Sequence, residues 1–261
     1  MQQTVPGILS RIADHKRAEL SARTWNRAEL EREAEASAGG RRGFRKALES
    51  HTPAIIAEAK KASPSKGVLH ARYDAAAIAA QYAEGGAAAM SVLTDERYFQ
   101  GSLDDLRLAR QHTPVPVLRK DFTIDERHVL EAAAAGADAI LLIAAILTTE
   151  QMRGFRELAA RYAMDSLVEV HDGEELDRAI DSGAGILGVN NRDLNTFEVR
   201  LETSFALASR IPPGIVRVSE SGIHSAADVR LLRAAGYQAF LVGEHLMKSP
   251  DPAAALRALV C

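Results

Sequence analysis

Two lysines, three carboxylates and an amide are the groups through which this sequence can do chemistry: Lys60, Lys120, Glu58, Glu169, Glu220 and Asn190. Each stands at the carboxyl end of a short apolar run. A strand interior normally holds no ionisable side chain, because burying one unpaired costs several kcal/mol. Five separate runs that break this rule at the same end point to one shared mouth where protons are moved. A lysine pressed among apolar walls loses basicity and neighbouring carboxylates restore it, so such a group can be tuned to donate a proton near neutral pH. The plainer reading, strand ends facing solvent or structural ion pairs, holds for any one of these residues but has to be invoked five times over.

The elements that must position them follow from periodicity. Residues two apart on a strand share a face, which groups Ile56, Glu58 and Lys60; Leu118 and Lys120; Leu167 and Glu169; Ile186, Gly188 and Asn190; and Val216, Val218 and Glu220. The apolar runs number eight, at 55–60, 89–93, 115–120, 139–143, 167–170, 186–190, 215–219 and 240–242, each separated from the next by enough chain for one helix. They are near-continuously apolar, as strands covered by helices on the outside should be. Gly86, Gly136, Gly183 and Gly236 shortly precede four of them, where glycine ends a helix in the left-handed conformation and the chain enters the sheet at once. Eight such units close naturally into a (β/α)8 barrel. Helical patterns at 8–23, 25–36 and 44–48 precede the first strand and one at 252–260 follows the last, so residues 1–261 read as one barrel domain in which 1–50 form a helical extension. That extension plugs the barrel's bottom or lids its mouth; no substrate contact is assigned within it.

Composition excludes several classes. Thirty-two Lys and Arg stand against 35 Asp and Glu, without the basic footprint of a nucleic-acid binder. The longest apolar-looking stretch, 132–147, carries Gly136 and Asp138 and is too short to span a bilayer. Arg11, Asp14, Lys16 and Arg17 interrupt any signal-peptide core, and the sole cysteine is Cys261, which together predict a cytoplasmic protein. The eight histidines are scattered with no partner spacing for zinc, so no metal is expected. After strand seven come Ser221 and Gly222, and after strand eight comes Gly243, where barrels often hold phosphate on backbone N–H groups. Taken alone these are equally ordinary turns between strand and helix.

Several strings together resemble the indole-3-glycerol phosphate synthases. They are Glu58-Ala59-Lys60-Lys61-Ala62-Ser63-Pro64-Ser65, Tyr98-Phe99-Gln100-Gly101-Ser102, Leu118-Arg119-Lys120-Asp121-Phe122, Leu167-Val168-Glu169-Val170, Asn190-Asn191-Arg192-Asp193-Leu194, Glu220-Ser221-Gly222 and Leu241-Val242-Gly243. The resemblance covers most of the chain from about residue 54 onward. It implies ring closure of 1-(2-carboxyphenylamino)-1-deoxyribulose 5-phosphate with loss of carbon dioxide and water, and no cofactor. By the same resemblance Lys120 is the general acid at the ketone oxygen and Glu169 the acid/base of dehydration. Lys60 pairs with acidic substrate groups, with Glu58 and Glu220 holding its charge and position. Asn190 and Arg192 orient the substrate, Ser63 lies near its carboxylate, and Ser221, Gly222 and Gly243 hold the phosphate. Phe99 and Phe122 are slot walls or plain core. Glu244 departs from the small residue many relatives carry beside that phosphate. The implied partner is a small sugar phosphate bearing an aromatic carboxylate, acted on by a monomer or weak homodimer. A phosphoribosylanthranilate isomerase-like enzyme, a Schiff-base aldolase and a non-catalytic phosphate-binding barrel are the competing readings. The first relies on a cysteine where Glu58 to Lys60 stand here.

Overall fold

The computed structural model describes residues 7–64, 66–70, 72–194 and 196–260; Ser65 of the Ser-Pro-Ser run and the terminal Cys261 lie outside them. Eight parallel strands close on themselves: β1 (Ala54–Ala59), β2 (Ala89–Leu93), β3 (Val117–Lys120), β4 (Ala139–Ile143), β5 (Asp165–Val170), β6 (Ile186–Asn190), β7 (Val216–Glu220) and β8 (Ala239–Val242). β1 pairs with β2 on one side and β8 on the other, so no edge is left to solvent.

The extension supplies α1 (Gly7–Ala22), α2 (Arg27–Ala38) and α3 (Phe44–Ser50). The helices that follow each strand in turn are α4 (Ala75–Glu84), α5 (Leu103–His112), α6 (Glu126–Ala134), α7 (Thr149–Arg161), α8 (Gly173–Asp181), α9 (Glu202–Ala208), α10 (Ala226–Ala234) and α11 (Pro252–Val260). Their starts are written in side chains: Asp74, Ser102, Asp125, Thr148, Asp172 and Ser225 each accept a backbone N–H of the first turn they precede, a cap that stabilises a helix by about 1 kcal/mol. The four strand-preceding glycines take φ between +83 and +102°.

Two strand limits depart from the apolar runs for physical reasons. The third strand begins at Val117 because Pro114 and Pro116 have no N–H for the ladder. The fifth reaches back to the polar Asp165, whose carboxylate accepts the Arg45 N–H at 2.8 Å and so anchors the start of α3.

Strand faces sort the core in two. Ile55, Ala57, Met90, Ile140, Val168, Leu187 and Phe240 pack outward on the helices. Ile56, Leu118, Leu141, Leu167, Ile186, Val218 and Leu241 fill the interior. Both roles open to the extension are occupied. Phe44 and Leu48 of α3 join the interior cluster, and α3 packs on β1, β2 and β7, which closes the bottom. Leu9 and Ile12 of α1 join the same cluster and also line the cavity at the opposite end. Among the described residues no helix is long and apolar enough to cross a membrane.

Candidate active site

Register explains why distant residues meet. Glu58 pairs with Ser91, Leu93 with Lys120, Ile143 with Glu169, Glu169 with Gly188, and Asn190 with Glu220. The last inward positions of β1, β3, β5, β6 and β7 therefore form one ring above the apolar layers. Glu58, Glu169 and Glu220 are 4%, 3% and 1% exposed, so each needs a partner to stay charged.

Lys120 lies against two of them and pairs closely with one. Its Nζ donates to Glu169 Oε2 at 3.1 Å and lies 3.7 Å from Glu220 Oε2. Lys60 instead reaches Glu58 Oε1 at 2.5 Å. The expectation that Glu58 and Glu220 both serve Lys60 is thus half corrected: Glu220 projects from β7 against Lys120, and Lys60 pairs with Glu58. Burial works to depress the Lys120 ammonium, but Glu169, Glu220 and Glu58 together outweigh it and raise its pKa. Burial also opposes ionisation of Glu169, yet Lys120 and His171 hold its carboxyl well below the usual range. Glu220, buried and facing Glu169, is pushed up to about 8. The group tuned toward neutrality is therefore this carboxyl and not Lys120.

Gly188 is the space that makes this possible. A Cβ there would stand 2.0 Å from Glu220 Oε1 and 3.2 Å from Leu167 Cδ1. Gly243 likewise leaves room for Glu58, since a Cβ would come within 2.5 Å of its Oε1.

The ring opens into a cavity of about 790 Å³ lined by Glu58, Lys60, Ser63, Phe99, Lys120, Phe122, Glu169, Asn190, Arg192, Glu220, Ser221, Gly222 and Gly243. Every site residue expected from the sequence is brought to it. The Phe99 and Phe122 ring centroids are 6.0 Å apart, and both rings face an apolar side that also includes Leu141 and Ile143. Opposite, Ser221 and Gly222 both take positive φ, 66 and 79°, in the turn after β7. A Cβ on Gly222 would meet Val199 Cγ1 at 2.6 Å. Asn190 Oδ1 accepts the Arg192 N–H at 3.0 Å, and Arg192 Nη1 donates to Phe197 O at 3.2 Å. Glu244, beside the Gly243 turn, is not a bare charge. It accepts from Lys248 at 2.6 Å, with Lys66 at 3.8 Å and Arg192 at 3.9 Å.

Two contributions escaped the sequence. Ile8, Leu9 and Ile12 line the cavity, a position in the extension that was left unassigned. Lys16 fixes their helix there by pairing with Asp95 at 2.9 Å and Asp121 at 3.1 Å. His171, just past β5, stands 3.4 Å from Glu169 Oε1; the i, i+2 step from Glu169 along the strand was the available signal.

A closed barrel of eight parallel strands with ionisable groups gathered at the strands' carboxyl ends defines an enzyme of the (β/α)8-barrel class with an acid–base mouth. Sequence comparison narrows the class. The chain belongs to the indole-3-glycerol phosphate synthase family, whose sequence profile matches residues 9–259. A relative of that name from Koribacter versatilis is 50% identical over 255 residues, covering 97% of this chain and 98% of the relative. Another from Dechloromonas aromatica is 48% identical over 257 residues, with 97% and 98% covered. The structure is also similar to thiamine phosphate pyrophosphorylase from Pyrococcus furiosus, at a TM-score of 0.59 and 18% identity over 79% of this chain and 93% of that one, a likeness of fold alone.

Proposed function

We propose that this enzyme closes the indole ring: it converts 1-(2-carboxyphenylamino)-1-deoxyribulose 5-phosphate to indole-3-glycerol phosphate, carbon dioxide and water. The observation that carries the residue assignment is the Lys120 ammonium, 3.1 Å from Glu169 and 3.7 Å from Glu220, at the lip of a cavity with an aromatic side and a glycine turn. Ring closure needs an acid at the ketone oxygen, a dry apolar slot for the benzoate ring and an anion cradle for the phosphate.

Lys120 donates its proton to the ketone oxygen as the ring carbon bearing the carboxylate bonds to the ketone carbon. A developing alkoxide is basic enough to take a proton from an ammonium whose pKa is raised. The carbon–carboxylate bond then breaks, its electron pair restores aromaticity, and carbon dioxide leaves. Lys120, once reprotonated from solvent, gives a second proton to the new hydroxyl, which departs as water while Glu169 removes the proton from the carbon beside nitrogen. Lys60, held by Glu58, faces the departing carboxylate together with Ser63. Asn190 and Arg192 orient the sugar chain, and Ser221, Gly222 and Gly243 receive the phosphate. Phe99 and Phe122 flank the ring. With one proton taken up from solvent the bonds made and broken balance without a change that needs an oxidant or reductant, so the reading asks for no cofactor. A cytoplasmic monomer or weak homodimer completes the proposal; sedimentation at micromolar concentration tests the second part.

Indole product is followed by its fluorescence on mixing purified protein with the carboxyphenylamino substrate. Turnover supports the reading, and its absence with substrate still bound would leave a binding barrel. Borohydride trapping with substrate should label neither Lys60 nor Lys120; a covalent adduct would favour a Schiff-base aldolase.

A further inference from the structure

The two oxygens of Glu169 are held by different cations. Oε2 accepts from Lys120 at 3.1 Å, while Oε1 lies 3.4 Å from His171 Nε2. The far side of the imidazole is held as well: Nδ1 is 2.9 Å from Glu175 Oε2 on α8, and the same oxygen accepts the His171 backbone N–H at 2.8 Å. A carboxylate lies near each ring nitrogen, Glu175 within hydrogen-bond distance of Nδ1 and Glu169 at ion-pair distance from Nε2, which makes no hydrogen bond, so the pair favours the doubly protonated ring by charge. Burial alone would discourage that charge, but the two carboxylates raise the His171 pKa to about 10. Glu220, by contrast, has Lys120 only at 3.7 Å, and its Oε1 faces the Gly188 backbone without a hydrogen-bond partner. The neighbouring carboxyls are thus unequal: Glu169 has a cation beside each oxygen, Lys120 at 3.1 Å and His171 at 3.4 Å, whereas Glu220 has Lys120 at 3.7 Å.

We propose that His171, anchored by Glu175, is a positioning residue that clamps Glu169 against Lys120 and so makes Glu169, not Glu220, the charged member of the carboxyl pair. The inference rests on the reading of Glu169 as the acid/base. His171 itself does not line the cavity and acts through Glu169. The charged groups surrounding the clamp are Lys120 from β3, Glu220 from β7, Glu175 from α8, and Glu58 with Lys60 at β1, while β6 contributes the uncharged Asn190. Removing the imidazolium takes one cation from Glu169 and lets it bind a proton more readily. A base that must be ionised then fails at higher pH.

The test is the pH profile of kcat/KM for full-length His171→Gln and Glu175→Gln beside Glu169→Gln. His171→Gln should lower kcat about tenfold to a hundredfold, less than loss of Glu169 itself, with little change in KM. Its acidic limb should move to higher pH. Glu175→Gln should move the limb the same way by a smaller step, because the ring stays but loses its anchor, and this variant carries the test if His171→Gln fails to fold. A limb that stays in place in both variants overturns the proposal, even where kcat falls, since that pattern marks a structural role. Full turnover in Glu169→Gln would overturn the acid/base reading itself and the clamp with it; an inactive Glu169→Gln beside unmoved limbs sinks the clamp alone.

Discussion

Lys120→Met separates chemistry from binding most cleanly. Methionine matches the lysine stem in length and can keep its contacts with the apolar wall, but it removes the proton and the cation that hold Glu169 at 3.1 Å and Glu220 at 3.7 Å. Loss of a general acid costs about 10²- to 10⁴-fold in turnover, or about 3 to 5 kcal/mol of barrier. The turn at Ser221 and Gly222 proposed to receive the phosphate, and the Phe99–Phe122 wall, are untouched, so substrate affinity should change far less. A second consequence follows from electrostatics. Without Lys120, Glu220 loses the cation 3.7 Å away and Glu169 is left with His171 among the described residues; stranding a buried charge costs about 3 to 5 kcal/mol unless the group takes up a proton. The variant should therefore gain stability relative to wild type as pH falls. Indole fluorescence under single-turnover conditions gives the rate, calorimetric titration with substrate gives the affinity, and urea titrations at several pH values give the stability. A kcat within a few-fold of wild type, or a loss carried wholly by KM, would remove Lys120 from the acid role.

Other perturbations probe the scaffold around that acid. Gly188→Ala would put a methyl 2.0 Å from Glu220 Oε1, well inside contact distance, so the carboxylate must shift by more than 1 Å; kcat should fall at least about tenfold with the fold kept by circular dichroism, since a misplacement of that size is costly. Lys16→Met should raise KM and lower stability by about 3 kcal/mol in urea unfolding, because Asp95 and Asp121 lose their common cation and α1 its latch. His128 is 7% exposed, and burial reinforced by Arg119 lowers its pKa from 6.5 to about 4. The unfolded chain binds a proton that the fold refuses, so this stabilisation is complete above pH 6.5 and shrinks by ~3 kcal/mol as pH falls through 4. Urea midpoints of His128→Gln across that range should show a flatter acid slope than wild type.

The barrel was legible because its signals are local. A near-continuous apolar run recurs eight times, four of the runs follow shortly on a glycine that ends the previous helix, and six of the helices begin at a capping Asp, Ser or Thr. The mouth was legible for the same reason: alternation along a strand assigns Glu58, Lys120, Glu169, Asn190 and Glu220 to the inner face without knowledge of their neighbours. Pairing across the ring was not. Which carboxylate meets Lys60 and which meets Lys120 depends on shear around the closed sheet, and that is set by packing of all eight strands. The extension was opaque for a related reason. Ile8, Leu9 and Ile12 form an ordinary amphipathic stripe, and contacts distant in sequence, among them the pairing of Lys16 with Asp95 and Asp121, fix that stripe over the cavity. His171 carried an i, i+2 signal, but its second partner, Glu175, comes from the next helix.

The unequal carboxyls also explain how a buried acidic ring can accept an anion. Glu58, Glu169 and Glu220 fully ionised would repel both the carboxylate and the phosphate of the proposed substrate. Burial and Glu169 instead raise Glu220 to about 8, so near neutral pH it holds a proton. Lys60 and Lys120 then face two charged carboxylates, Glu58 and Glu169, and His171 is set against Glu175 behind them. The mouth is close to balance before an anion enters and has a neutral carboxyl to offer as a hydrogen-bond donor. An ionised Glu220 would tip it negative. Binding through this ring should accordingly weaken above about pH 8, and it should do so less in Glu220→Gln, whose amide keeps the donor and cannot ionise.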